Sequence, residues 1–313
     1  MRRICVLILA AGCAALCGCP PPEIKTSTPT TPRASREIVD RINANNERID
    51  QPLYASPAHV VAQMVDDRGT PHRYSLDGSL LVRTPHDFRL DLRHPIGEQV
   101  MQVAANAETF WLWVKPEVST YWWGRFDNVG KPCADPMPLR PEQLAEVLGM
   151  RVLPLPGSGA IGPARLYGEQ YDRLLYFGSG GGLYSIDREY WVERTPPYMV
   201  RLILFRDAFG RRAMNANLDD YRPAWPDGPL VAHKISIDWP PSSGGTEGGK
   251  LLLTIDNWQA SPPISRRAFV RPESPPGIER QVQVDRNCDT PTSRPSETPP
   301  AAPSGETAPE TPR

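Results

Sequence analysis

The chain has 313 residues, with 35 Lys+Arg against 36 Asp+Glu and a net charge of −1 at neutral pH. That balance provides no basic face for backbone phosphates and excludes a nucleic-acid binder. Proline is abundant at 37 residues; two Pro-rich polar stretches at the ends leave roughly 250 residues between them, enough for one large all-β domain.

Met1, Arg2 and Arg3 are followed by an uncharged, apolar or small run from Ile4 to Leu16. This is the positive and apolar arrangement of a secretory signal. At roughly 13 residues the run falls short of the ~20 needed to span a bilayer. Leu16-Cys17-Gly18-Cys19 resembles a bacterial lipobox, so residues 1–18 read as a lipoprotein signal peptide and Cys19 as the acylated residue. Cys13, after Ala10-Ala11-Gly12, is the alternative, but it leaves only about six apolar residues where 7–15 are usual. The two or three acyl chains of such a protein give stable attachment where one would not. Pro20 rather than Asp follows Cys19, and by the general sorting pattern the expected location is the outer membrane, on its periplasmic side.

Residues 19–34 form a Pro-rich linker, 35–286 the β domain, and 287–313 a Pro-rich tail expected to be disordered. In an oxidising compartment Cys133 and Cys288 are a candidate disulfide. Sequence spacing cannot place them within bonding reach, so a buried unpaired state stays open.

Ser35 is placed to cap a helix running to about Ile49, with Ile38, Val39, Ile42 and Ile49 on one face and Asn43, Asn45 and Asn46 on the rest. Period-two alternation then takes over, clearest in Phe88, Leu90 and Leu92 against Arg89, Asp91 and Arg93. A second short helix is expected over Pro141–Leu148, stopped by Gly149. Strands resume from Leu174 and continue to Trp258. With turn signals every 8–12 residues the pattern predicts an antiparallel sheet of roughly eleven strands, and the lack of βαβ alternation argues against a parallel one.

No catalytic constellation stands out. Gly157-Ser158-Gly159-Ala160-Ile161-Gly162 matches a dinucleotide fingerprint by letter but lacks the strand before and the helix after it. Neither Ser158 nor Ser179 sits in a nucleophile elbow, and no histidine has metal-ligand spacing. The chain is therefore expected to be no enzyme and to use no cofactor or metal. The aromatic runs say more. Phe110-Trp111-Leu112-Trp113-Val114 and Tyr121-Trp122-Trp123 are apolar on both strand faces, so both faces must be covered. Packing against the two helices is one reading. The other is an apolar ligand cavity built from Phe110, Trp111, Trp113, Trp122 and Trp123.

A lipobox, a helix bearing Ile42-Asn43-Ala44-Asn45-Asn46, the run Leu81-Val82-Arg83-Thr84-Pro85-His86-Asp87-Phe88-Arg89-Leu90-Asp91, then Asn106-Ala107-Glu108-Thr109-Phe110-Trp111-Leu112-Trp113 and Pro197-Tyr198-Met199-Val200 together resemble the LolA/LolB-like lipoprotein-localisation carriers. The resemblance spans about Ser35 to Pro272. It implies an incomplete antiparallel β-barrel, a half-pipe covered by a few helices over an apolar cavity. It also implies partners: a membrane reached through the anchor, and acyl chains or lipoproteins as ligands in transfer. The alternative is a structural or assembly lipoprotein that uses the same scaffold for protein contact, its interior filled by its own side chains. By that resemblance Arg89 occupies a position where carriers often have a functional arginine, with Arg83 and Arg93 as competitors, and no role is assigned to any of them.

Overall fold

The computed structural model describes residues 33–288 except 66–70, 117–118, 130, 132, 135–140, 156–160, 181–182, 208, 241–247 and 261–263. Both lipobox cysteines, the glycine-rich fingerprint up to Ala160 and the C-terminal tail from residue 289 onward lie outside the described residues, while residues 287–288, expected as the start of that tail, lie in a short helical turn.

The first helix, α1, spans Ser35–Asn46. Its capping position is Ala34, which offers no side-chain bond, so Ser35 is the first helical residue rather than the cap. The second, α2, spans Pro141–Val147 and ends at Gly149, whose positive φ of 71° suits a helix stop. The strands are β1 (Leu53–Val65), β2 (Pro71–Arg83), β3 (Asp87–Arg93), β4 (Gln99–Ala105), β5 (Thr109–Val114), β6 (Thr120–Arg125), β7 (Ile161–Leu166), β8 (Tyr171–Gly180), β9 (Leu183–Glu193), β10 (Val200–Arg206), β11 (Arg212–Pro223), β12 (Leu230–Trp239), β13 (Gly249–Ile255), β14 (Trp258–Ala260) and β15 (Arg280–Gln283).

They form one 15-stranded sheet in the order β15-β6-β5-β4-β3-β2-β1-β13-β12-β11-β10-β9-β8-β7, with β14 beside β1. Among the described residues the path does not close, so they form an open half-pipe. Fifteen strands occur among the described residues against the roughly eleven expected; β7, β14 and β15, which are short and carry weak alternation, make up most of the difference. β7 contains Pro163, and it survives as an edge strand, where a missing donor is tolerated. The sheet is antiparallel except at the other edge, where β15 runs parallel to β6. Pro57 interrupts β1 at a register shift between Ala55 and Ala58, a bulge that accommodates it.

Register turns the alternating sequence into two faces. Leu80, Leu90, Val103, Leu112 and Trp122 are successive partners across β2 to β6. Leu174, Tyr190, Ile203, Ala216, Ile237 and Leu251 continue the same face from β8 to β13. These side chains and those of both helices belong to one apolar cluster, so the helices lie on the concave face.

Candidate functional site

The trough of the half-pipe is a continuous apolar surface, and a helical cover fills it. From α1 come Ile38, Val39 and Ile42; from α2 and the segment after it come Leu144, Val147, Leu148, Met150 and Leu153, all buried in the main cluster. The two parts of the cover are stitched by asparagines. Asn43 donates Nδ2 to Leu153 O at 2.9 Å and accepts Leu153 N at 2.8 Å. Asn46 Nδ2 donates to the carbonyls of Gly149 (3.1 Å) and Arg151 (2.9 Å). Asn45 ties α1 to β12 through both backbone groups of Leu230. The polar side of α1 is therefore an internal fastening. Periodicity marked these positions only as polar; their satisfied partners were invisible to it.

One ionic contact fixes α2 to the sheet. Glu146 is 4% exposed on its side chain and accepts Arg188 Nη1 at 2.8 Å. It also accepts the hydroxyl of Tyr190. Burial and the neighbouring Glu146 charge both push the Tyr190 hydroxyl well above its ordinary value, so it stays a donor. Beside this group lies a cavity of about 10 Å³, bounded by Ile42, Glu146, Leu153, Tyr190 and Ile203. That holds about one water, where a small-molecule pocket needs about 300 Å³ or more. At this point, among the described residues, the trough is filled by the chain itself.

The aromatics expected to line one cavity divide between two faces. Phe110 is buried with Ala105 and Val284 at the β15 rim of the concave side, and Trp122 packs against both that group and the main cluster. Trp111, Trp113 and Trp123 point the opposite way and pack with Ala104, Tyr121 and Ile278. The reason is the strand period: Trp111 and Trp113 flank Leu112, so they share the outer face. Sequence gave no sign of what covers that face. It is the chain's own C-terminal segment, residues 264–288. Tyr121 donates its hydroxyl to Pro272 O at 2.7 Å, and the Arg271 guanidinium lies 3.9 Å from the centre of the Trp123 ring. Burial raises the Tyr121 hydroxyl, and the Arg271 contact partly offsets it.

Beneath the segment runs a polar chain. Trp111 Nε1 donates to Gln102 Oε1 at 2.7 Å, Gln102 donates to Asp91 at 2.7 Å, and Asp91 accepts Arg89 at 2.7 Å. Arg89 also reaches Ala268 O, so it holds the segment on the outer face and does not touch the trough. The segment ends at Cys288, which is disulfide-bonded to Cys133. Among the described residues no group of His, Cys, Asp and Glu could hold a metal ion.

Fold and site together define an open β half-pipe whose trough is plugged by short helices of the same chain. No protein-family model and no curated protein matches it. It is similar to the solved structure of a LolA superfamily protein from Nitrosomonas europaea, at 11% identity and a TM-score of 0.48, over 77% of this chain and 99% of that one. It is also similar to a domain described as an outer membrane lipoprotein-sorting protein from Vibrio parahaemolyticus (10%, TM-score 0.47, 75% and 97% covered). A DUF1329 family protein from Desulfovibrio piger follows (11%, TM-score 0.45, 75% and 96% covered). At these values the likeness is one of strand arrangement, and the ligands of those proteins stay with those proteins.

Proposed function

We propose that this chain is an envelope lipoprotein, anchored through acylated Cys19, that receives an acyl chain or another apolar ligand in its trough and takes part in lipoprotein or lipid transfer. The observation that carries the ligand reading is the trough itself. Rows of apolar side chains cross the half-pipe, and what covers them is two short helical segments, packed on it by their own apolar side chains and fastened by hydrogen bonds and the Glu146–Arg188 ion pair. A ligand would take the place of the segment 141–155. Sixteen buried carbons at about 0.8 kcal/mol each would offer on the order of 10 kcal/mol before ordering costs.

The test is titration of the chain from residue 20 onward with a spin-labelled fatty acid, read by contact quenching of tryptophan. Saturable quenching is expected, and Trp122→Phe should reduce it far more than Trp111→Phe or Trp113→Phe, which alter the far face. The second reading, a self-filled scaffold for protein contact, is favoured by the 10 Å³ cavity; absence of saturable binding would establish it over the first. The anchor has its own check. Cys19→Ser with Cys13 intact should abolish lipid labelling, and labelling that persisted would move the site to Cys13.

A further inference from the structure

On the outer face, away from trough and plug, three polar residues meet across β1 and β2. His59 stands directly opposite Asp77, and Ser75 lies two residues from Asp77 on the same face. His59 Nδ1 is 2.9 Å from Asp77 Oδ1, and Ser75 Oγ is 3.3 Å from His59 Nε2. Hydroxyl, imidazole and carboxylate thus form one chain through both ring nitrogens. The carboxylate favours the tautomer with the proton on Nδ1, which leaves Nε2 to accept from the hydroxyl. The core needs none of them: the neighbours of His59 that face the trough, Ala58 and Val60, are fully buried, whereas His59 and Asp77 keep 47% and 58% of their side chains exposed.

The surroundings suit a small ester. Val61 pairs with Ser75, and Leu252 pairs with Val61, giving a half-buried apolar patch beside the hydroxyl. Arg73 is exposed on the same face two residues along, its Cα about 7 Å away, a gap that an extended arginine side chain can span. Pairing of β2 with β3 begins only at Asp77 opposite Arg93, which leaves the strand around Ser75 without a β3 partner and open to approach.

We propose that Ser75, His59 and Asp77 form a surface esterase site for short-chain carboxylic esters, independent of the trough. Ser75 Oγ attacks the carbonyl carbon as His59 Nε2 takes its proton. Arg73 stabilises the oxyanion. The alkoxide leaves with the proton from His59, giving an acyl-Ser75 ester. Water then attacks with His59 as base, the Ser75–acyl bond breaks, and a carboxylic acid is released with the serine regenerated. Asp77 is a positioning residue.

The experiment uses the full-length chain in detergent with p-nitrophenyl butyrate and a fluorophosphonate probe. A burst of nitrophenol and mass-mapped labelling at Ser75 are expected, both lost in Ser75→Ala and reduced about 10²-fold or more in His59→Gln. Asp77→Asn should lower kcat with KM unchanged, and Asp77→Glu should restore most of it. These are surface positions, so thermal unfolding should match the parent. Absence of label at Ser75 would overturn the proposal. Hydrolysis that persists in Ser75→Ala would overturn it too, since the imidazole would then be acting alone.

Discussion

At the scale of single residues, Asp285 shows how a buried charge is held. It is 1% exposed. Its carboxylate accepts Arg125 N at 3.0 Å, Asn128 Nδ2 at 2.9 Å and Gln283 Nε2 at 3.1 Å. Burial pushes the carboxyl up, but these donors outweigh it and hold it below the ordinary 3.8. A depressed value in the folded state means stability that is fully present above the ordinary carboxylate range and lost as pH falls through the folded value. Asp285→Asn should therefore cost about 1–3 kcal/mol at pH 7, because donors are left under-satisfied. The gap between variant and parent should narrow progressively below about pH 4. Urea unfolding at pH 7 and pH 3 measures both; a gap that stayed constant with pH would show that the charge contributes nothing. The pairing of Ser75 with His59 belongs to the same scale. Residues 59, 75 and 77 have no spacing that signals a site, and cross-strand register alone brings them together.

Among elements, legibility followed amphipathicity. Strand β3 alternates Phe88, Leu90 and Leu92 with polar residues, and its burial alternates in step. Both helices were visible from their apolar stripes, and Gly149 marked the stop of α2. Strand β5 was harder because Phe110 to Trp113 are all buried. Period two shows which residues share a face but not which face meets the helices, so Trp111, Trp113 and Trp123 read the same as Phe110 and Trp122 although they pack on the opposite side. The cover of that side, residues 264–288, carries no strong periodic signal. It is held by carbonyls at Pro272, Ala268 and Phe269 accepting side chains from β6, β3 and the β4–β5 turn. At the concave rim the end of β15 fits just as closely: a Cβ on Gly124 would stand 2.7 Å from Val284 Cγ2 and 2.8 Å from Phe110 Cζ. Backbone acceptors and a missing side chain leave no pattern that a sequence reader can count. The Cys133–Cys288 bond spans 155 residues of sequence, and only the fold brings its ends to one edge.

At the scale of the whole molecule, the proposed binding of a ligand in the trough implies a competition with the plug that has a calculable sign. The plug segment buries Leu144, Val147, Leu148, Met150 and Leu153, and side chains of this kind contribute about 1.5–3 kcal/mol each. Their sum, on the order of 10 kcal/mol, is similar to what a 16-carbon chain would gain in the same trough by the per-methylene estimate. Exchange of plug for ligand is then nearly balanced, and affinity responds to the plug's own packing. Leu148→Ala should destabilise the free protein by about 2–5 kcal/mol. If the ligand displaces the plug, most of that cost is absent from the bound state. The variant should then bind the fatty acid more than tenfold tighter, since each 1.4 kcal/mol is tenfold. If the ligand instead sits beside an intact plug, Leu148→Ala lowers both states alike and the Kd stays within about twofold, well under 1 kcal/mol. Parallel measurements of Kd and unfolding free energy on the parent and variant separate these outcomes. Tighter binding from a less stable protein would identify residues 141–155 as the element that yields.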